Sequence, residues 1–340
     1  MNKFLFIILA LFGFNSFAGM HKGMDHMSSM MDMEGESAYM GSFSLRYKPM
    51  GFEEEGIDEL TYRARIGWKN NVNDAVTWTL GLSTDTEQNF GGIHLGDIHL
   101  EEAYIKYSPM DNVSVKLGKY GSKADFNKAG VLYSEQLYKT GAILKYHHHM
   151  SETDGFYAKV GAYKLDENDP LADGVTVKAK VSGMLTVSDG MVAGLYVGGL
   201  HDGLMKEGEH TAKTLAQVGV NFHAHSMPVP VGVSVHYMTD VDSFADFDSY
   251  SATFSVGTAG TACSTDMGDF GLAVNYYHIA EGSYIASWLN EDYVNGVGEG
   301  VAVRAQYNVW DNSSLVAKFA HNLAGGDNAN NLVTELTFAF

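Results

Sequence analysis

The chain of 340 residues has one cysteine, Cys263, five prolines and only four arginines. A single cysteine cannot pair within the chain, so no disulfide framework supports the fold. Beyond the N-terminus no segment has the run of roughly 18–20 apolar residues that a membrane-spanning helix needs. Cations are in short supply as well: 22 Lys and Arg stand against 41 Asp and Glu, a formal net charge of −19. That balance argues against nucleic acid or an anionic surface as the natural partner. With proline so rare, long strands can run uninterrupted, and the abundant Gly, Tyr, Phe, Thr and Val favour them.

The chain opens on MNKFLFIILALFGFNSFA. Lys3 supplies a positive start, Phe4 to Phe14 an apolar centre, and Ser16-Phe17-Ala18 a small-x-small cleavage site, the three parts of a secretory signal peptide. The expectation is a leader over 1–18 that is removed after Ala18. Export without disulfides, in a chain of this length, fits a Gram-negative envelope protein. Residues 19–37 then form a Met- and His-rich flexible periplasmic arm, and 38–340 the folded domain.

From Ala38 onward the sequence alternates. In AYMGSFSLRYK, Tyr39, Phe43, Leu45 and Tyr47 share one face while Ser42, Ser44, Arg46 and Lys48 share the other. ELTYRARIGWK sets Leu60, Tyr62, Ala64, Ile66 and Trp68 against Thr61, Arg63, Arg65 and Lys69. This period of two is that of strands with one apolar and one polar face. Short polar turns are expected at NNVND (70–74), SPMDN (108–112), HHMSETD (148–154), VSDG (187–190), HSMP (225–228), STDMGD (264–269) and VWDN (309–312). Longer acidic, glycine-rich loops lie between them, among them HDGLMKEGEH and DVDSFADFD. Eight long loops and seven short turns join sixteen strands.

The polar face carries Thr, Ser, Arg, Lys, Glu, Gln and Asn in nearly every strand, which a buried sandwich core would not tolerate. Strands of about ten residues with apolar-out, polar-in faces are those of a transmembrane antiparallel β-barrel. In lipid such a sheet must close, so that no backbone edge is left unpaired. Aromatics near strand ends (Tyr39, Tyr47, Trp68, Tyr107, Tyr146, Tyr307, Phe338) suit girdles at the two membrane interfaces.

The last strand, LVTELTFAF, ends the chain on Phe340, with Phe338 on the same face. These two residues are similar to the C-terminal signal by which outer-membrane barrels are recognised for assembly. With the strand count and loop rhythm, they make Ala38 to Phe340 resemble Gram-negative outer-membrane porins. The resemblance implies short periplasmic turns, long extracellular loops and a homotrimer. It also implies contact with outer-membrane lipid and lipopolysaccharide, and insertion by the barrel-assembly machinery.

All four arginines, Arg46, Arg63, Arg65 and Arg304, fall on the face assigned to the lumen, and Lys116 joins them. In the resembling family, basic residues on the early strands oppose acids on a third loop folded into the channel. Here that loop is GSKADFNKAGVLYSEQ, and Asp125 and Glu135 are the acids it offers. Opposed charges across a narrow aqueous passage order polar solutes and set ion preference.

The arm carries a separate chemistry. Cleavage after Ala18 leaves Gly19-Met20-His21, in which the amine, two deprotonated amides and the imidazole can surround Cu(II) or Ni(II) in a plane. Met20, Met24, Met27, Met30, Met31 and Met33, with His26 beside them, offer soft ligands to Cu(I). The aspartates of DVDSFADFD (240–248) could bridge Ca²⁺ or Mg²⁺, although they lack an EF-hand's spacing. In HHHM (147–150) consecutive strand residues point to opposite faces, so three imidazoles cannot converge. The other histidines, such as His94, His201, His236 and His321, are scattered with no catalytic spacing. The expectation is therefore a non-enzymatic outer-membrane porin for passive diffusion of small hydrophilic solutes and ions, needing no cofactor. The alternative is a copper-binding or copper-resistance protein acting through the arm.

Overall fold

The computed structural model describes residues 38–48, 59–84, 98–121, 138–151, 154–165, 175–202, 205–206, 209–210, 213–241, 248–258, 266–280, 298–323 and 330–339. The first half of the chain contributes β1 (Ala38–Lys48), β2 (Glu59–Asn73), β3 (Val76–Thr84), β4 (Ile98–Met110), β5 (Val113–Gly121), β6 (Tyr138–His149), β7 (Gly155–Leu165), β8 (Thr176–Ser188) and β9 (Met191–Asp202). The second half adds β12 (Lys213–Ala224), β13 (Val231–Asp240), β14 (Asp248–Val256), β15 (Phe270–Ile279), β16 (Gly298–Trp310), β17 (Ser313–Asn322) and β18 (Asn330–Ala339). These sixteen strands form one closed antiparallel barrel, each beside its neighbour in the chain, with β1 paired to β18. Closure leaves no sheet edge, as the alternation anticipated. A further pair of two-residue strands, β10 (Met205–Lys206) and β11 (Glu209–His210), forms a small ladder within HDGLMKEGEH, a segment whose composition is that of a loop.

Several turns are tighter than the sequence suggested. The strand ladder continues through Asn70 and Asn71 to Asn73, so only Asp74 and Ala75 of the first turn lie outside it. Asp111-Asn112, Asp189-Gly190 and Asp311-Asn312 are equally short. Two-residue hairpins that follow the sheet's twist need positive φ, and Gly190 (φ 69°) and Asn312 (φ 60°) supply it. The Asn73 side-chain oxygen accepts from the amides of Ala75 and Val76 at 3.0 and 2.9 Å, giving the first turn its own cap. At the same end of the barrel the turns are stitched together. The Asp154 carboxylate accepts from the amide and hydroxyl of Thr186, and that of Asp311 from the Met267 amide at 2.9 Å.

The two faces divide as the alternation requires. Ile66, Ile105, Leu117, Leu144, Val197 and Val220 are among the many large apolar side chains exposed on the outside. A continuous apolar belt of this extent on a soluble protein would drive association; on a closed barrel it is the surface that lipid covers. Aromatic contacts mark both ends of the belt. Tyr250 stacks on His278 at 5.1 Å and leans on Tyr276 at 6.2 Å near the long loops, while Trp310 stacks on Phe338 at 6.1 Å near the short turns. Tyr39, Tyr47, Tyr107, Tyr146 and Tyr307 are exposed as the girdle assignment expected; Trp68 is half-buried further along its strand.

Candidate functional site

Cross-strand partners share a face, so the register carries the lumenal assignment from strand to strand. Arg63 lies opposite Ser44, Arg65 opposite Ser42 and Ser83, and Arg46 opposite Glu335. All three arginines face inward, as expected. Their surroundings contain a partner that the alternation had hidden. On β4 the ladder slips between Gly81 and Leu82 of the facing strand: Leu100 pairs Leu82, Glu102 pairs Gly81, and Glu101 is the extra residue. This β-bulge turns Glu101 to the same side as Glu102. Its carboxylate, with only 8 % of the side chain exposed, accepts from Arg63 and lies 2.6 Å from the Arg65 guanidinium. Beside the bulge the intervening strand β3 presents Thr79, Gly81 and Ser83 inward, small enough to let β2 and β4 side chains meet above it.

The bulge leaves a mark in the sequence. In IHLEEAYIKY the apolar phase runs through Ile98 and Leu100, then resumes at Ala103, Ile105 and Tyr107, displaced by one residue across the two glutamates. A slip of one position exchanges the faces of everything beyond it.

Arg304 also faces inward. It lies opposite Lys318 and donates to the Gln306 side-chain oxygen at 2.9 Å, and the Gln306 amide donates in turn to Asn308 at 3.1 Å. Lys116 faces inward with its ammonium 3.8 Å above the Tyr104 ring and 5.4 Å from that of Tyr120. The arginines of β2 and Arg304 of β16 lie on different stretches of the wall. Asp125, Glu135, Phe340 and the whole arm with its metal ligands, Gly19, Met20, His21, Met24, His26, Met27, Met30, Met31 and Met33, lie outside the described residues. Phe338 takes part in the outer girdle, stacked on Trp310.

A second polar group stands on the wall formed by β8, β9, β12 and β13. The Tyr196 hydroxyl and His236 Nδ1 are 2.7 Å apart, and the Lys180 ammonium lies 3.9 Å over the Tyr196 ring. Gly219 sits beneath the pair: a Cβ there would fall 2.2 Å from the Tyr196 ring and 2.6 Å from His236 Nδ1. Only glycine permits this approach. Of the three consecutive histidines, His147 and His149 share the inner face, their ring centroids 5.0 Å apart, while His148 lies opposite Phe156 on the other phase. Among the described residues no group of three His, Cys, Asp or Glu is arranged to hold a metal ion.

No protein-family model and no curated protein sequence matches the chain. Its three-dimensional likeness is to outer-membrane barrels. OprB of Pseudomonas putida superposes with a TM-score of 0.62 at 12 % identity, covering 90 % of this chain and 94 % of that one. OmpF of Salmonella typhi, solved with daunomycin, gives 0.59 at 11 % identity over 90 % and 98 % of the two chains. DcaP of Acinetobacter baumannii, an outer membrane channel, gives 0.54 at 14 % identity over 90 % and 97 %. The chain thus has the sixteen-stranded fold of outer-membrane porins, as its alternation and terminal strand suggested.

Proposed function

We infer that this protein is an outer-membrane porin: a water-filled channel through which small hydrophilic solutes and ions diffuse passively. The observation that carries the reading is the opposition of the two faces of one closed sheet. Apolar side chains cover the outside, and the inside is lined by Arg, Lys, Glu, Tyr, Asn and Ser. Barrels of sixteen to eighteen strands are wide enough to leave an aqueous passage. A charged, hydrated inner wall has no purpose in a barrel packed solid with side chains. The reading places the chain in the outer membrane, with short turns toward the periplasm, and a trimer accords with the fold's relatives.

Single-channel recording in planar lipid bilayers tests it. Purified, refolded protein is expected to give stepwise, ohmic conductance in KCl. A protein shown to be folded and membrane-inserted that passes no current would overturn the reading.

A further inference from the structure

The lysines of the inner wall are not scattered. Strands β5, β6, β7 and β8 together carry eight lysines and no aspartate or glutamate, in a chain whose formal net charge is −19. Six inward-facing lysines of β4 to β8 fall on two adjacent rows of the sheet. Lys145, Lys159 and Lys180 stand directly opposite one another on three successive strands. In the neighbouring row Lys106 faces Lys116, and the line continues through Ile143 and Gly161 to Lys178.

Paired strands lie about 4.8 Å apart, so opposed lysine stems leave the sheet roughly 5 Å from one another. Like charges set directly opposite work against strand pairing, and three in succession are not what sheet stability favours. What the arrangement does achieve is a concentration of positive potential on one part of the wall. The inward-facing acids that flank these rows, Glu101 and Glu102 on β4 and Asp202 on β9, stand toward the long-loop ends, and Glu101 is engaged by Arg63 and Arg65.

The rows also have depth. Lys116, Lys178 and Lys180 are buried, two of them against tyrosine rings that hold an ammonium in place by its attraction to the π face. Lys106 is exposed, and Lys145 and Lys159 are half-buried. Exposure therefore falls from Lys106, through Lys145 and Lys159, to the embedded Lys116, Lys178 and Lys180. Lysine presents a compact point charge with rotatable donors, suited to an anion that moves past rather than one clamped in a fixed bidentate pose.

We propose that the inner wall of β4 to β8 is a binding track for small polyvalent oxyanions of the phosphate class, which bridge the neighbouring Lys145 and Lys159, with Lys106 contributing charge at the β4 edge of the track. The proposal rests on the channel reading and names the solute class that the channel favours. Anions with several charged oxygens can set a separate oxygen on each of two ammonium groups across the roughly 5 Å between strands, whereas chloride offers both only one singly charged acceptor.

The test uses the whole mature protein in planar bilayers, with inorganic phosphate and pyrophosphate as probes. In a KCl gradient the reversal potential should report anion preference. Added phosphate should reduce the chloride current saturably, and pyrophosphate should do so at lower concentration. A Lys145→Gln/Lys159→Gln double variant should weaken the phosphate block by about a hundredfold, about tenfold for each lost charge-assisted contact. Lys318→Gln, which removes an inner-wall cation far around the barrel on β17, should leave the block unchanged. Equal weakening by Lys318→Gln would show a general lumenal charge effect and overturn the track. So would cation preference, or a conducting channel indifferent to phosphate. Equilibrium dialysis of the folded protein in detergent against radiolabelled phosphate gives a readout that does not need conductance. Binding lost in the double variant supports the track even if no current flows, and then only the channel reading falls; no binding refutes the track.

Discussion

Glu101 is the inner-wall residue whose removal is easiest to quantify. Its carboxylate bridges Arg63 and Arg65, whose side chains are 13 % and 19 % exposed. With charge centres about 4 Å apart and an effective dielectric near 20, each pair contributes a gross attraction of about 4 kcal/mol. Replacing Glu101 by alanine removes both attractions. It also leaves two guanidiniums on one face of β2, roughly 7 Å apart, repelling by about 2 kcal/mol on the same scale. Water in the lumen resolvates the arginines in part, so the net loss should fall near 3 kcal/mol, the low end for breaking a buried pair. The assay is urea unfolding of the barrel refolded into lipid vesicles, followed by the fluorescence of its four tryptophans. A double-mutant cycle with Arg65→Ala isolates the pair and should return a coupling of about 1–3 kcal/mol. The reversal potential of Glu101→Ala should also move toward anions as two positive charges are unmasked. Coupling below about 0.5 kcal/mol, with an unmoved reversal potential, would show that the bulge does not place Glu101 where the geometry puts it.

Two further outcomes follow from the faces and the arm. Val197 is exposed near the middle of β9, so Val197→Arg should cost about 2–4 kcal/mol in vesicles, whereas Ser234→Arg on the inner face of β13 should cost under about 1 kcal/mol. Equal costs by urea titration would mean that lipid and lumen have been assigned to the wrong sides. We also propose that the arm binds copper through Gly19-Met20-His21 and its methionines: calorimetric titration of the mature chain should show a Cu(II) site that is missing from a chain beginning at Ala38. Identical isotherms would remove the arm from any copper chemistry.

Much of the architecture was legible in the residues themselves. A side-chain period of two, with one apolar face, says which residues meet lipid and which meet water before any pairing is known. Arg46, Arg63, Arg65, Arg304 and Lys116 were placed inward on that ground, and the register agrees. Where the alternation slips, it misleads a strict reading: Glu101 and Glu102 should take opposite sides, yet the bulge aims both inward. The displaced apolar phase from Leu100 to Ala103 was available as a signal. Turn lengths erred for a different reason, since Asn70 and Asn71 read as loop residues but are held in the β2–β3 ladder by Trp78 and Thr77 opposite.

The pairings across the wall belong to another level. Periodicity is a property of each strand alone, so the residues determined the barrel, its two faces and the cationic character of β5 to β8. Which inward residues become neighbours depends on how far each strand slides against the next before the sheet closes. That offset sets Lys145, Lys159 and Lys180 in one line, although Lys180 lies 35 positions beyond Lys145 in the chain. It also brings His236 within 2.7 Å of Tyr196, with Gly219 making room between their strands. Register is a collective result of closure, so only the tertiary structure could decide which charges share the wall.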